Sequence, residues 1–304
     1  MDHSEPNSKA APRFSIVIPV YNDWVPLHQC LQSLAQQSGE LSFEVIVVDD
    51  GSAAEAPEFI GRAARNFPCT VIRQAHAGIP AARNYGIGTA RGSVLLFADA
   101  DCRLQPNCLV ALEAAIIASP GHDYFQLRLV GNGSTVVGRA EELRLITFQE
   151  HMLQPDGRIL YLNTAGFAMR RSRANLETGV FDPEALRAED TLLLANLMES
   201  GELPLFVPDA IVEHVIPLSL FECFRKDIRS VYLEGPTYDV IAAKGVRIRV
   251  THRERLRLLG AMWKTAGQNS IGRSAWFVLV ARQALQRVSS FVYRWLRAGP
   301  VMAL

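Results

Sequence analysis

The strongest constraint in the chain is one short stretch, Val94-Leu95-Leu96-Phe97-Ala98-Asp99-Ala100-Asp101-Cys102, in which an apolar run ends abruptly in two carboxylates. An unbroken apolar run of this length, preceded by Gly92, suits a strand buried on both faces. Asp99 and Asp101 are two apart, so continued strand geometry aims both side chains the same way at the strand tip. Carboxylates that close repel one another and raise each other's pKa unless a cation or a donor sits between them. A hard divalent cation suits that place, because such ions bridge carboxylates to substrate phosphates. A solvated turn after the strand is the plain alternative for the same residues.

The segments before this stretch alternate strand and helix. Residues 14–20 form a near-continuous apolar strand that closes on the turn-prone Pro19-Val20-Tyr21-Asn22. Leu27, Cys30, Leu31 and Leu34 recur at helical spacing. A second buried strand over 43–48 ends in Asp49-Asp50-Gly51-Ser52, and a helix is predicted over 54–66. Thr70-Val71-Ile72 is a short third strand, and Ala77-Gly78-Ile79-Pro80 leads into a helix through Ile87. This alternation implies right-handed crossovers and a mostly parallel α/β sheet with helices on both faces. Ligands of such sheets sit beyond the carboxyl ends of the strands. Three polar tips, Tyr21-Asn22, Asp49-Asp50 and Asp99/Asp101, therefore converge on one crevice. Neither G-x-G-x-x-G nor G-x-x-x-x-G-K-[ST] is present, so phosphates here are met by carboxylates and a metal rather than by a glycine cradle. Gly78 permits close backbone approach, and the helix it opens, which carries Arg83, favours an anion at its N-terminus.

Ser15-Ile16-Val17-Ile18-Pro19-Val20-Tyr21-Asn22, Val47-Val48-Asp49-Asp50-Gly51-Ser52, Ala82-Arg83-Asn84-Tyr85-Gly86-Ile87 and Asp99-Ala100-Asp101 follow in that order. Together they resemble the signature blocks of family 2 glycosyltransferases. The resemblance covers about residues 14–232, and it is specific for the family rather than for a substrate. It implies a GT-A fold, with a Rossmann-like sheet, and inverting transfer of a sugar from a nucleotide donor, a UDP-sugar first of all. It implies that Pro19, Tyr21 and Asp50 hold the base and ribose. Asp99, Ala100 and Asp101 would form the D-x-D motif, with Asp101 the direct ligand of Mn²⁺ or Mg²⁺. Gly78 and Arg83 join the expected nucleotide-sugar-binding set.

Residues 123–130 and 135–138 read as strands around a Gly131-Asn132-Gly133 turn, and 141–151 as a helix. Asn163 to Arg171 resembles the family's acceptor-side loop and strand. Glu189-Asp190 then opens an apolar helix, where carboxylates are also ordinary helix starters. By the resemblance Asp190 is the general base, with Glu189 as runner-up, because inverting transfer needs one carboxylate to take the acceptor hydroxyl's proton. His214, in a strand-like run, matches the family's histidine after that helix and would complete the metal site. A neutral imidazole suits Mn²⁺ better than Mg²⁺. Arg225 and Arg229, on a helix predicted over 218–233, share a face. They either steady a departing diphosphate or form a solvated basic face.

Charge matters most in the tail. The chain of 304 residues carries 31 basic and 31 acidic side chains. Residues 241–304 hold twelve Lys or Arg against one acid, Glu254, so this tail stands at +11 and the rest at −11. An acidic body with a basic tail points to an anionic partner. From Arg273 on, a helical wheel gathers Arg282, Gln283, Gln286, Arg287, Ser290, Arg294 and Arg297 on one side. Ala281, Leu285, Val288, Phe291, Val292, Trp295 and Leu296 fall on the other, after a segment over 275–281 that is apolar all round. The expectation is an in-plane anchor on an anionic membrane, with packing on the body or on a second subunit as the alternative. A membrane-bound enzyme of this kind implies a lipid-linked or cell-surface glycan acceptor, and no nucleic-acid partner is expected.

This divides the chain into a polar leader over 1–13, expected to be disordered, a GT-A domain over 14–240 and a basic helical tail over 241–304. The leader has no apolar core of signal-peptide length, and no apolar run is long enough to span a bilayer. Five scattered cysteines without C-x-x-C read as buried thiols in a reducing cytoplasm, which suits the inner face of the plasma membrane. Two rival readings are a sugar nucleotidyltransferase and a catalytically inactive nucleotide- or glycan-binding scaffold. The first would open with a glycine-rich basic loop after the first strand, which Pro19-Val20-Tyr21-Asn22 is not. The intact Asp99/Asp101 and Glu189-Asp190 pairs argue against the second.

Overall fold

The computed structural model describes residues 11–63, 65–215, 219–246, 251–268 and 271–298. Most of the expected leader lies outside them, and Arg13 at its end is fixed by an ion pair to Glu113 at 2.8 Å. Strands β1 (Phe14–Val20), β2 (Phe43–Asp49), β3 (Cys69–Arg73) and β4 (Val94–Phe97) pair in parallel in the order β3-β2-β1-β4. β1 and β4 are buried throughout, which is why their sequences run apolar without alternation. Helices α1 (Trp24–Ala35), α2 (Glu58–Ala63) and α3 (Ile79–Thr89) make the crossovers. α2 starts later than predicted, because Pro57 pushes the residue before it out of helical geometry. Gly86 lets α3 lie flat on the sheet: a Cβ there would come within 2.4 Å of Val17 Cγ1.

Beyond β4 the sheet turns mixed. It continues through β5 (Cys102–Leu104), α4 (Cys108–Ala118), β6 (Tyr124–Gly131), α5 (Val136–Met152), β7 (Phe167–Arg170), α6 (Glu189–Ser200) and β8 (Leu205–His214). The full order is β3-β2-β1-β4-β7-β6-β8-β5, with β7 antiparallel to β4 and β6, and β5 antiparallel to β8. Residues 135–138, expected as a strand, instead start α5. The Thr135 side chain accepts from the Gly138 N–H, and this N-cap outweighs the strand preference of Val136 and Val137.

Three helices follow among the described residues: α7 (Leu220–Ala243), α8 (His252–Gln268) and α9 (Arg273–Ala298). A capping box between Ser219 and Glu222 starts α7, which runs past Pro236, so residue 241 falls inside this helix. α8 and α9 pack on α5, where Met262, Ala266, Ile271, Ala275 and Leu279 meet Ala140 and Leu143. The segment over 275–281 thus sends Ala275 and Leu279 inward and Phe277 outward. Among the described residues, no helix is long and apolar enough to cross a membrane.

Candidate active site

The strand ends open on a cleft of about 1150 Å³. Asp99 and Asp101 flank buried Ala100 in the turn between β4 and β5, and His214 ends β8. The β5–β8 ladder sets Cys102 opposite His214, and the Val215 N–H donates to the Asp101 carbonyl at 3.0 Å. His214 Nε2 consequently stands 3.3 Å from Asp101 Oδ2. One ligand atom from each of Asp99, Asp101 and His214 lies within 4.8 Å of the others. Ligand atoms around one octahedral ion at roughly 2.0–2.1 Å stand about 3–4 Å apart, so a small inward side-chain shift would let these three residues hold a divalent cation. Two carboxylates and an imidazole are a donor set that suits Mn²⁺. Burial pushes the Asp101 carboxyl up, but the His214 hydrogen bond and charge hold it below its ordinary value. Burial lowers His214 in turn, but Asp101, with Glu141 and Asp99 behind it, raises it above its ordinary value.

Arg83, on the second turn of α3, ties this strand tip to α6. Its Nη2 donates to Asp99 Oδ1 at 2.7 Å and its Nη1 to Glu189 Oε1 at 2.6 Å, while the guanidinium lies 5.5 Å from the Phe181 ring centroid. Burial alone would lower the pKa of Arg83, and its two carboxylate partners raise it. Expected among the donor-binding residues, Arg83 instead spends both terminal nitrogens on carboxylates. Glu189 and Asp190 do open a helix, as expected, directly after Ala188 at φ +60°. Asp190 Oδ1 accepts from the Thr191 N–H at 2.6 Å and from its hydroxyl at 3.1 Å. Asp190 Oδ2 has no hydrogen-bond partner among the described residues, and Asp190 lines the cleft. Burial and neighbouring Glu189 push the Asp190 pKa up to about 7, against the pull of Thr191 and Arg83. A carboxylate poised near neutrality is matched to taking a proton from a hydroxyl.

Pro19, Tyr21 and Asp50 line the far end of the cleft. Tyr21 stacks on His76 at 4.3 Å, which makes a flat aromatic slab there. Asp50 Oδ1 accepts from Gln74 Nε2 at 2.7 Å and from the Ala77 N–H at 2.8 Å. Its Oδ2 accepts from the Gly78 N–H at 2.9 Å and lies 2.9 Å from His76 Nδ1. A carboxylate offers about four acceptor positions, so Asp50 is fully engaged in shaping the 74–78 loop. Gly78 correspondingly gives its N–H to Asp50 rather than to a ligand. What the position demands is its φ of +92°, since an added Cβ would meet nothing nearer than 3.7 Å. His76 carries no spacing signal in the sequence and was not anticipated.

The outer wall comes from α7 and α9. Cys223, Lys226, Asp227, Ser230 and Glu234 of α7 line the cleft, at helical spacing. Arg225 and Arg229, expected either to steady a diphosphate or to form a solvated basic face, are exposed and off the cleft, which is the second of these. Lys226 takes their place, and its charge favours the ionised forms of Asp101 and Asp23. From α9, Arg282 donates to both oxygens of Asp227 at 2.8 and 3.0 Å, and Gln286 Nε2 to the same carboxylate at 3.2 Å. Arg282 also lies 3.6 Å from Glu141, which Arg144 and Arg282 hold down to about 2 against the upward push of burial. The polar side of α9 therefore faces the cleft, opposite to an arrangement in which it meets lipid headgroups. On the apolar side Val288 and Phe291 are 62% and 72% exposed. The side chains of Arg294, Trp295, Leu296 and Arg297 lie outside the described residues.

The model of the glycosyl transferase family 2 matches residues 15–178. An uncharacterized glycosyltransferase, YibD, of Escherichia coli K12 is 36% identical over 96 residues, 31% of this chain and 28% of the relative. A PGL/p-HBAD biosynthesis glycosyltransferase of Mycobacterium bovis is 39% identical over 111 residues, 36% of this chain and 43% of the relative. The chain thus spans less than half the length of these curated relatives. Among solved structures, the mannosyltransferase PcManGT of Pyrobaculum calidifontis, in complex with GDP-Man and Mn²⁺, superposes with a TM-score of 0.61 at 16% identity. That match covers 96% of this chain and 90% of the other. Staphylococcus aureus TarS 1–349, in complex with UDP, superposes at 0.56 with 18% identity, covering 95% and 93%. These likenesses show the fold, which is the GT-A arrangement.

Proposed function

Because the chain belongs to glycosyl transferase family 2, we propose that its cleft transfers a sugar from a nucleotide donor to an acceptor hydroxyl with inversion. The observation that carries this is the placement of Asp190 and the Asp99–Asp101–His214 set in one cleft, joined through Arg83 and Glu189. The nucleotides bound to the solved neighbours, GDP-Man and UDP, support a nucleotide-sugar donor, and the Tyr21–His76 slab offers its base a stacking face. A Mn²⁺ or Mg²⁺ ion held by Asp99, Asp101 and His214 would neutralise the donor diphosphate. Lys226 adds positive charge beside Asp101, where the leaving group's charge develops. Asp190 Oδ2 accepts the proton of the acceptor hydroxyl as that oxygen attacks the anomeric carbon and the nucleoside diphosphate departs. Glu189, locked to Arg83, is not the base. Its charge keeps Asp190 proton-hungry.

The acceptor in this reading is a glycan or a lipid-linked sugar, presented at the inner surface of a membrane. The exposed Val288 and Phe291, together with the +11 net charge of residues 241–304, support contact with an anionic leaflet. Asp190→Asn tests the core of the proposal. It should leave Mn²⁺-dependent binding of UDP or GDP unchanged by calorimetry and lower transfer by about 10³-fold. Undiminished transfer in that variant would refute the assignment. A wild-type protein inert across UDP- and GDP-sugars would favour the scaffold reading.

A further inference from the structure

We propose that the outer half of the cleft holds a phosphate group carried by the acceptor, gripped by Arg187 and Arg287 above Ser230. This rests on the transferase reading above and names the class of acceptor. The first argument is room. The cleft of about 1150 Å³ runs from Pro19 to Phe291, beyond the space one bound ligand ordinarily fills, roughly 300–1000 Å³. The outer part is left for the acceptor.

The second argument is charge. The acids of the outer wall are already matched: Asp227 receives Arg282 and Gln286, and Glu141 receives Arg144. Glu234 and Arg255, also on this wall, each have an interaction partner. Arg187 differs, because Nη2 meets only the Ser230 hydroxyl, at 3.2 Å. Arg287 has neither hydrogen bond nor ion pair among the described residues, although it lines the cleft. Arg187 is half-buried and Arg287 exposed at the cleft's rim, and guanidinium forks beside a cleft without a carboxylate partner are matched to a bidentate oxyanion such as phosphate.

The third argument is position. α7 and α9 run side by side: Gln286 meets Asp227, and further along Tyr293 packs on Tyr232 at 5.3 Å. Arg287 follows Gln286 by one residue, so it stands within about one helical turn of Ser230, to which Arg187 donates. Ser230 lies one turn of α7, about 6 Å, beyond Lys226 and the donor end. The subsite is therefore separate from the metal-binding carboxylates and about one sugar unit outward. Phe291 borders it with an exposed apolar ring. A phosphate there has two sources, the diphosphate of a lipid-linked acceptor whose chain runs over Phe291, or a water-soluble phosphorylated glycan.

Titrations in EDTA, which keep diphosphates from being metal-bridged at Asp101, test the subsite. Inorganic pyrophosphate and farnesyl diphosphate are titrated into the full chain and into Arg187→Gln, Arg287→Gln, the double variant and the corresponding Lys variants. The wild type should bind, each Gln variant about tenfold more weakly, and the Lys variants in between, since an ammonium keeps the charge but not the fork. Much tighter binding of farnesyl diphosphate than of pyrophosphate assigns a lipid-linked source, and equal binding a soluble one. No binding by the wild type, or a double variant that binds both probes as the wild type does, overturns the proposal. Mn²⁺-dependent UDP and GDP binding, read on the same proteins, should be untouched by these substitutions. Its absence in the wild type would sink the donor reading independently.

Discussion

Replacing Arg83 with Met removes the one cation that Asp99 and Glu189 share. The side chains of Arg83, Asp99 and Glu189 are 2%, 33% and 11% exposed. Stripping one partner from a buried ion pair costs about 3–5 kcal/mol, and because Asp99 is a third open to water the lower end, about 3 kcal/mol, applies. At this chain length the entropy of unfolding is about 0.6 kcal/mol/K, so the melting temperature should fall by about 5 °C. A second effect accompanies the first. Arg83 lowers the Asp190 pKa, so its loss should move the acid limb of the transfer rate to higher pH. Arg83→Lys should be intermediate in both, since an ammonium keeps the charge but cannot fork to two carboxylates. Calorimetric melting and a pH series of kcat/KM read the two effects separately. A Met variant melting within about 1 °C of the wild type, with the same acid limb, would refute the bridging role.

Two further outcomes follow from the same geometry. With its pKa raised from 3.8 to about 7, Asp190 is protonated in the folded chain over a range where the unfolded chain has released that proton. Its contribution to stability is complete below 3.8 and lost as pH rises through about 7, while transfer needs the ionised form and should decline below about 7. Asp190→Asn should therefore melt higher than the wild type at pH 8 while being inactive, and a lower melting point there would contradict the burial argument. Val288→Ser with Phe291→Ser in the full chain should weaken sedimentation with phosphatidylserine vesicles at least about tenfold, and unchanged partitioning would dispose of the membrane contact.

The parallel half of the sheet was legible because strands covered on both faces leave unbroken apolar runs, and each polar tip follows its own strand. The place of Asp99 and Asp101 at a strand tip was legible for the same local reason, whereas Asp190 was singled out by the resemblance, its own neighbours marking only a helix start. His76 was not: it acts through a stack on Tyr21 and a bond to Asp50, and nothing in the flanking residues marks it. Spacing put Arg225 and Arg229 on one face and left open whether it met a ligand or solvent, because spacing defines a face without saying which face turns in; Lys226, one position on, is the one that lines the cleft. The same ambiguity governed the tail. A helical wheel separated its oily and basic sides, but the interior that α9 meets is a polar cleft, so Arg282 and Gln286 turned inward and Val288 outward. Which side of such a helix turns inward depends on whether the surface it covers is polar or apolar.

The clasp between β5 and β8 has a consequence for how chains of this architecture can diversify. Three residue pairs fix it, and a ladder can only be in register or out of it: a slip of one position would swing the imidazole of His214 to the opposite side. Both ends of the long intervening segment are thereby pinned at the sheet margin. The loops between its strands and helices, such as the one before α6, can lengthen, shorten or change shape without moving the residues that would hold a cation. Partner choice can drift in such a scaffold while the handling of the activated sugar stays put.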